Sequence, residues 1–153
     1  MMTTASDCLR ALQGKTLVTA ESLTGGGIGA TITAVSGASR VFKGGIISYT
    51  DAVKREVLGV PVEILEHLGA VSAPVAEAMA VGARRALQAD VAVSVTGLAG
   101  PDGDSFGNPV GTVFIGYADE KQQLAREYHF SGDREAVRTQ TIHAALRLIM
   151  ECL

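Results

Sequence analysis

Cysteine, histidine and tryptophan are scarce in this chain, whose 153 residues include two cysteines, three histidines and no tryptophan. Cys8 and Cys152 stand near opposite ends with no CxxC spacing, which excludes a disulfide-rich scaffold and favours a reduced protein of the cytoplasm. The histidines lack metal-ligand spacing, so we expect no bound metal and no other cofactor.

An excess of basic charge and long apolar runs are also missing. The formal net charge of −3 argues against a protein that binds the nucleic-acid backbone. No apolar run approaches the ~20 residues that span a bilayer, and the first residues lack the basic and apolar parts of a signal peptide. We therefore expect neither a membrane nor a nucleic acid as partner.

What the chain does contain is a hydrophobic fraction of 47%, which is enough for one globular domain over residues 1–153. Strand and helix patterns alternate along it. Strands are predicted over 15–20, 45–49, 90–96, 111–118 and 124–130, and helices over 4–13, 24–35, 51–58, 62–68, 72–87 and from 133 onward. The pattern predicts an α/β fold, a three-layer α/β/α sandwich with a mixed, mostly parallel sheet. Ligands bind such sheets at the carboxyl ends of the strands.

Three glycines, Gly25, Gly26 and Gly27, follow the first predicted strand and precede a helix. Each glycine costs up to ~1 kcal/mol relative to alanine in a helix, so something must offset the cost. Their N–H groups would hold a phosphate or an oxyanion, or their small size permits tight packing of helix on sheet. Thr24 is predicted to cap the helix. Glu21 is interpreted as an exposed turn residue in preference to a buried carboxylate that orients Ser22 or the ligand.

The same glycines resemble a dinucleotide-binding fingerprint. Residues 25–30 match GxGxxA, and Asp51 follows at about the expected distance of twenty residues. In a true fingerprint the glycines follow the strand directly, whereas four residues, 21–24, intervene here. A nicotinamide-dependent oxidoreductase is therefore the weaker alternative, and NAD titration tests it.

Ser22, Tyr49 and Lys54 stand at or just beyond the ends of two predicted strands, a set typical of a hydrolase with a lysine base. A lysine serves as base only when neutral, so burial must lower its pKa from about 10.4. Tyr49 is predicted to contact both Ser22 and Lys54 and to relay a proton. The alternatives are a capping serine and a solvated lysine beside Asp51.

Six segments in a fixed order resemble the CinA C-terminal domain family. They are Thr19-Ala-Glu-Ser-Leu-Thr-Gly-Gly26, Phe42-Lys-Gly-Gly-Ile-Ile-Ser-Tyr49 with Lys54, Gly69-Ala-Val-Ser72, Thr96-Gly-Leu-Ala-Gly-Pro-Asp-Gly103, Pro109-Val-Gly-Thr-Val113 and Gly132-Asp-Arg-Glu-Ala-Val-Arg138. The chain departs from the family at Leu23, where many relatives have cysteine, and at Asp104, where glycine is common. These departures affect loop shape and substrate preference.

The resemblance implies an amidohydrolase that converts the carboxamide of nicotinamide mononucleotide to a carboxylate and releases ammonia. It implies catalytic roles for Ser22, Tyr49 and Lys54, a small-molecule nucleotide as partner, and a homodimer. Attack by Ser22 and direct attack by an activated water both remain open. The alternative function is a catalytically silent nucleotide-binding or protein-interaction module of the same fold.

Substrate-binding residues are expected in three places. The serine turn contributes Thr24, Gly25, Gly26 and Gly27, whose N–H groups would hold the oxyanion. The long loop 97–111 would act as a lid through Gly97, Gly100 and Asp102. Arg134 and Arg138, four residues apart on one helix face, would bind the phosphate or form ion pairs. Replacing Arg138 by alanine is expected to raise KM.

Overall fold

A computed structural model describes residues 2–153 and contains a five-stranded sheet with the order β2-β1-β3-β4-β5. β1 is parallel to both β2 and β3, while β4 is antiparallel to its neighbours β3 and β5. All strands except β4 therefore run in one direction, as predicted. The strands are β1 Leu17–Glu21, β2 Phe42–Ile47, β3 Val91–Gly97, β4 Thr112–Ala118 and β5 Gln123–His129.

Helices cover both faces of the sheet and complete the three predicted layers. α1, α2 and α6 share one core with the sheet, and α4 and α5 share a second core on the opposite face. None of the helices between residues 2 and 153 is long and apolar enough to cross a membrane. The helices are α1 Ala5–Ala11, α2 Gly27–Thr33, α3 Asp51–Glu56, α4 Val62–Leu68, α5 Ala73–Leu87 and α6 Arg134–Cys152, with a short 3₁₀ helix at Ala38–Arg40.

The central strand β1 is buried along its whole length because helices lie on both of its faces. Leu17 packs into the core of α1, α2 and α6, whereas Val18 and Ala20 pack against α5. α5 lies close to β4 because Gly116 has no side chain: a Cβ there would lie 2.3 Å from the carbonyl oxygen of Ala76.

Two predicted elements differ from the structure near the carboxyl ends of β1 and β2. The strand predicted over 45–49 is β2, Phe42–Ile47, so Tyr49 lies beyond the strand end. The helix predicted from residue 24 begins at Gly27, and Thr24 does not cap it. Gly26 occupies the N-cap position with a φ of +102°, a left-handed conformation that glycine adopts without strain.

Candidate active site

A cavity of about 550 Å³ opens at the carboxyl ends of β1, β2 and β3. Its wall includes Ser22 from the turn after β1 and Lys54 from α3. Loop 97–111, which follows β3, lines the opposite side with Gly97, Gly100 and Asp102. The structure thus brings Ser22, Lys54 and three of the predicted loop residues to one space.

The Lys54 amine lies beside the Ser22 hydroxyl, and both are buried. Nζ of Lys54 is 3.0 Å from Oγ of Ser22, 2.8 Å from the carbonyl oxygen of Ser48 and 3.3 Å from that of Tyr49. The Lys54 side chain reaches these oxygens because α3 begins directly after them, with Thr50 as its N-cap. The lysine is 1% exposed, which excludes the solvated alternative.

Burial lowers the pKa of Lys54 to about 8, while the negative charge of Asp51 acts in the opposite direction. Desolvation therefore provides the depression that the sequence argument required. At this pKa a substantial fraction of the amine is neutral near neutral pH, and a neutral amine accepts a proton. A hydroxyl and a partly neutral amine in direct contact are the groups that a nucleophile and its base require.

Glu21 is not an exposed turn residue, and the preferred interpretation of it was wrong. Its side chain is buried, with 2% exposed, and its carboxylate accepts hydrogen bonds from the Thr24 hydroxyl and from the main-chain N–H groups of Ile28 and Gly29. Thr24 therefore binds Glu21 instead of capping α2. The one sequence signal for this burial was that Glu21 directly follows the apolar run predicted as the first strand, and in the structure it is the last residue of β1, which is buried along its whole length.

The triple glycine does not line the cavity. Gly25 and Gly26 have left-handed backbones, and a Cβ on Gly27 would lie 2.8 Å from Cδ1 of Ile142. The N–H groups of Gly25 and Gly27 donate to the carbonyl oxygens of Ser22 and Thr24. Turn conformation and packing therefore account for these glycines, and the expected phosphate or oxyanion role for Gly25 and Gly27 is not supported.

The start of α2 is also unavailable to a dinucleotide. The N–H groups of Ile28 and Gly29, which would face a pyrophosphate, donate to the Glu21 carboxylate at 2.8 and 3.0 Å. The main-chain donors at the start of α2 are thus already occupied by a carboxylate of the protein itself. By contrast, the N–H groups of Leu23 and Thr24 donate no hydrogen bond to any residue in 2–153, and Leu23 lines the cavity.

Tyr49 lies at the mouth of the cavity with 58% of its surface exposed. Its hydroxyl accepts a hydrogen bond from Nη2 of Arg134 at 3.1 Å, and only its main-chain oxygen contacts Lys54. The expected contact of the hydroxyl with both Ser22 and Lys54 is therefore absent in this part of the chain. The Tyr49 side chain instead points its phenol toward Arg134, the first residue of α6.

The two predicted arginines have different surroundings in the structure. Arg134 lines the cavity, and its guanidinium donates to the Gly100 carbonyl at 2.5 Å as well as to Tyr49. Arg138 does not line it; its guanidinium donates to the carbonyl oxygens of Leu23 and Thr24 at 3.0 and 3.1 Å. Arg138 thus supports the serine turn, and Arg134 is the arginine that faces the cavity.

Several wall residues were not predicted as site residues. Asp104 and Phe106 belong to loop 97–111, where the Asp104 carboxylate accepts hydrogen bonds from the N–H groups of Phe106 and Asn108. Ala70 and Val71 add apolar wall from the segment before α5. Ala70 and Val71 were marked only as part of the family segment Gly69-Ala-Val-Ser72, without a role, because their place in the wall depends on which loops meet. Within residues 2–153 no group of three or more metal-binding side chains forms.

Comparison with known proteins agrees with the fold. The family model described as CinA C-terminal domain matches residues 2–153. Nicotinamide-nucleotide amidohydrolase PncC of Pseudomonas putida is 49% identical over 130 residues, which cover 85% of this chain and 81% of that protein. A CinA-like protein of Geotalea daltonii is 51% identical over 133 residues, which cover 87% of this chain and 32% of that protein. The chain spans about a third of the length of the curated CinA-like relatives it matches.

Solved structures with the same architecture come from Klebsiella pneumoniae and Escherichia coli. The competence damage-inducible protein A of Klebsiella pneumoniae superposes with a TM-score of 0.93 at 34% identity, over 96% of this chain and 92% of that one. A CinA superfamily protein of Escherichia coli gives 0.92 at 33% identity, over 98% and 91%.

Proposed function

The chain belongs to the CinA C-terminal domain family, and we propose that it is an amidohydrolase that converts nicotinamide mononucleotide to nicotinate mononucleotide and ammonia. The relative with 49% identity that carries the name nicotinamide-nucleotide amidohydrolase supports this substrate. The single observation that carries the proposal is the buried amine of Lys54 at 3.0 Å from the Ser22 hydroxyl, inside a cavity.

The oxygen atoms around Lys54 suit both of its charge states. A neutral amine donates its two N–H groups to the carbonyl oxygens of Ser48 and Tyr49 and accepts the Ser22 proton on its lone pair. The resulting ammonium has three N–H groups and keeps the same three oxygen neighbours. Proton transfer from Ser22 to Lys54 therefore requires no rearrangement of the site, which suits a general base.

The reaction proceeds in two halves in this proposal. Ser22 Oγ bonds to the carboxamide carbon while its proton passes to Lys54, and the N–H group of Leu23 stabilises the oxyanion. The ammonium of Lys54 returns the proton to the leaving nitrogen, the C–N bond breaks, and ammonia departs. Water then attacks the acyl carbon while Lys54 takes its proton. Lys54 passes that proton to Ser22 Oγ as the acyl C–O bond breaks, and the acid leaves as the carboxylate after losing its own proton to solvent.

The cavity walls suit the rest of the nucleotide. A volume of about 550 Å³ lies within the usual range of ligand pockets. Ala70, Val71 and Phe106 offer apolar wall to the ring and sugar, and Arg134 stands at the mouth where the phosphate would reach it. We assign Tyr49 to the orientation of Arg134 through its hydroxyl, and not to proton relay.

Ammonia release from nicotinamide mononucleotide tests the function. We expect turnover by the wild-type protein and its loss in both Ser22→Ala and Lys54→Ala, with circular dichroism and chromatographic behaviour unchanged. Ser131→Ala, outside the cavity, is the matched control and retains the wild-type rate. Nucleotide binding in calorimetry without ammonia release would favour the silent binding module instead.

Hydroxylamine separates the two routes of attack. An acyl-enzyme on Ser22 transfers its acyl group to hydroxylamine and forms the hydroxamate of nicotinate mononucleotide, in competition with hydrolysis. We expect that product to increase with hydroxylamine concentration and to be absent from Ser22→Ala. Ammonia release with no trace of hydroxamate would point to direct attack by water.

A further inference from the structure

Glu21 contacts both the turn that carries Ser22 and the segment that holds Lys54, and the reaction proposed above gives it no step. We propose that Glu21 is a positioning residue that fixes the geometry between the Ser22 hydroxyl and the Lys54 amine. The inference rests on the proposed function for its kinetic test, although the geometry it concerns can be measured without any substrate.

The first contact set joins the Glu21 carboxylate to the far end of the serine turn. Oε1 accepts hydrogen bonds from the Thr24 hydroxyl at 2.5 Å and from the Ile28 N–H at 2.8 Å, and Oε2 accepts from the Gly29 N–H at 3.0 Å. Because Gly26 provides no capping side chain, this carboxylate takes the place of the N-cap of α2. Both ends of the turn, residues 22–26, are therefore attached to one residue.

The second contact set joins the Glu21 main chain to the lysine side of the site. Its carbonyl oxygen accepts from the Ser48 N–H at 2.8 Å and lies 3.4 Å from the Ser48 hydroxyl. The Ser48 carbonyl in turn accepts from Lys54 Nζ at 2.8 Å. One residue thus sets the position of the nucleophile through its side chain and that of the base through its backbone.

The partners of the carboxylate are neutral donors, which distinguishes this site from an ion pair. No lysine, arginine or histidine among residues 2–153 lies within ion-pair distance of Glu21. A buried carboxylate is costly unless several donors satisfy it, so both oxygens must be placed to meet them. Glutamine keeps one acceptor oxygen but turns an amide NH₂ toward an existing donor. Aspartate keeps the charge, but its side chain is one methylene shorter and places the carboxylate farther from these donors.

The test compares Glu21→Gln and Glu21→Asp with Asp7→Asn as the matched control. Asp7 likewise accepts a main-chain hydrogen bond at a helix N-terminus, from Thr4 at 2.9 Å, but it lies in α1 and does not line the cavity. Ammonia release is measured over a range of pH values, at a temperature well below the melting temperature of each protein. A crystal structure of Glu21→Gln provides the Ser22–Lys54 distance.

We expect both Glu21 variants to lower kcat by about 100-fold, as misplacement of a reacting group by about 1 Å does, with KM within threefold of wild type. The midpoint of the pH profile should stay in place, and Asp7→Asn should lose stability without losing kcat. Wild-type kcat in Glu21→Gln would overturn the inference, and so would full activity in Glu21→Asp or a shifted midpoint, either of which indicates an effect of charge.

The crystal structure separates failure of this inference from failure of the proposed function. If the wild-type protein releases no ammonia, the proposed function fails and the geometry alone decides the role of Glu21. A Glu21→Gln structure in which the two atoms no longer lie within hydrogen-bond distance supports the positioning role. An unchanged distance of 3.0 Å in that structure overturns it.

Discussion

The Ser22 hydroxyl and the Lys54 amine lie 3.0 Å apart although 32 positions separate the two residues in the chain. The parallel pairing of β1 with β2 creates this contact, because its register places Glu21 opposite Ile47 and brings the next residues, Ser22 and Ser48, to one edge. α3 then returns Lys54 to that edge. The nucleophile and the base are thus placed by strand register and not by a local motif.

The pH profile of kcat/KM follows from the pKa of Lys54, which burial lowers to about 8. The base acts in its neutral form, so kcat/KM should rise tenfold per pH unit below about pH 8 and level off above it. Ammonia release between pH 6.5 and pH 9.5, in a series of buffers of one ionic strength, measures this. A profile that is flat through this range would contradict a lysine base.

Stability should depend on pH through the same group. The pKa of Lys54 is about 8 in the folded protein and 10.5 when it is solvated in the unfolded chain. Between these values the unfolded state binds more protons, so the free energy of unfolding rises with pH through this window. Relative to Lys54→Met, which lacks the group, wild type should gain about 3 kcal/mol from pH 8 to pH 10.5 and nothing below pH 7.

Denaturant unfolding of both proteins at each pH measures that difference. The methionine variant is the control for wild type. Every other titratable group is present in both proteins, so its contribution cancels in the difference between their free energies of unfolding. A constant difference across the window would mean that the amine is as protonated in the folded protein as in the unfolded chain.

Arg134→Ala should raise KM for nicotinamide mononucleotide roughly 10-fold and lower kcat less, because a charged hydrogen bond contributes about 1.5–3 kcal/mol. Steady-state kinetics at fixed ionic strength measures both constants. An unchanged KM would remove Arg134 from the phosphate site. The same assay on nicotinamide riboside, which has no phosphate, should show no difference between wild type and variant.

Arg138→Ala should reduce stability by about 2 kcal/mol, because two carbonyl oxygens of the serine turn lose their donors. Thermal unfolding measures this. We expect kcat to fall more than KM rises, since the arginine contacts the turn and not the cavity. A large rise in KM at unchanged stability would restore the original expectation that Arg138 binds the phosphate.

Tyr49→Phe should keep kcat within about threefold of wild type, because the hydroxyl contacts Arg134 and neither Ser22 nor Lys54. Loss of a proton relay would cost at least ~100-fold, the lower limit for acid–base catalysis by a side chain. KM should rise severalfold as Arg134 loses a partner. A drop in kcat of two orders of magnitude would show that the phenol reaches the reacting atoms.

The presence of the strands and the edge at which they end were the predictable part of the site. Continuous apolar runs marked β1 and β3, and parallel strands bring their carboxyl ends to one edge. That geometry brings the residues after β1 and β2 to one edge, and α3 then returns Lys54 to Ser22. It did not set the direction of the Tyr49 side chain, because Tyr49 lies beyond the end of β2, where the strand no longer fixes which way a side chain points.

The turn after β1 was not predictable from local patterns. Thr24 has the residue type of a helix cap, but the carboxylate of Glu21, seven positions before Ile28, supplies that function from the end of the strand. Arg134 and Arg138 likewise share a helix face, and the contact of Arg138 with the serine turn depends on how α6 packs. Homodimerisation and a cytoplasmic location stay predictions.

Arg138 holds the carbonyl oxygens of Leu23 and Thr24 from a distance of more than a hundred positions along the chain, 115 and 114 respectively. On the ribosome, β1 to β5 are all synthesised before Arg138 emerges. The serine turn therefore acquires these two donors only after the segment that carries Arg138 has folded against it. Maturation of the nucleophile thus requires residues that follow the whole sheet along the chain.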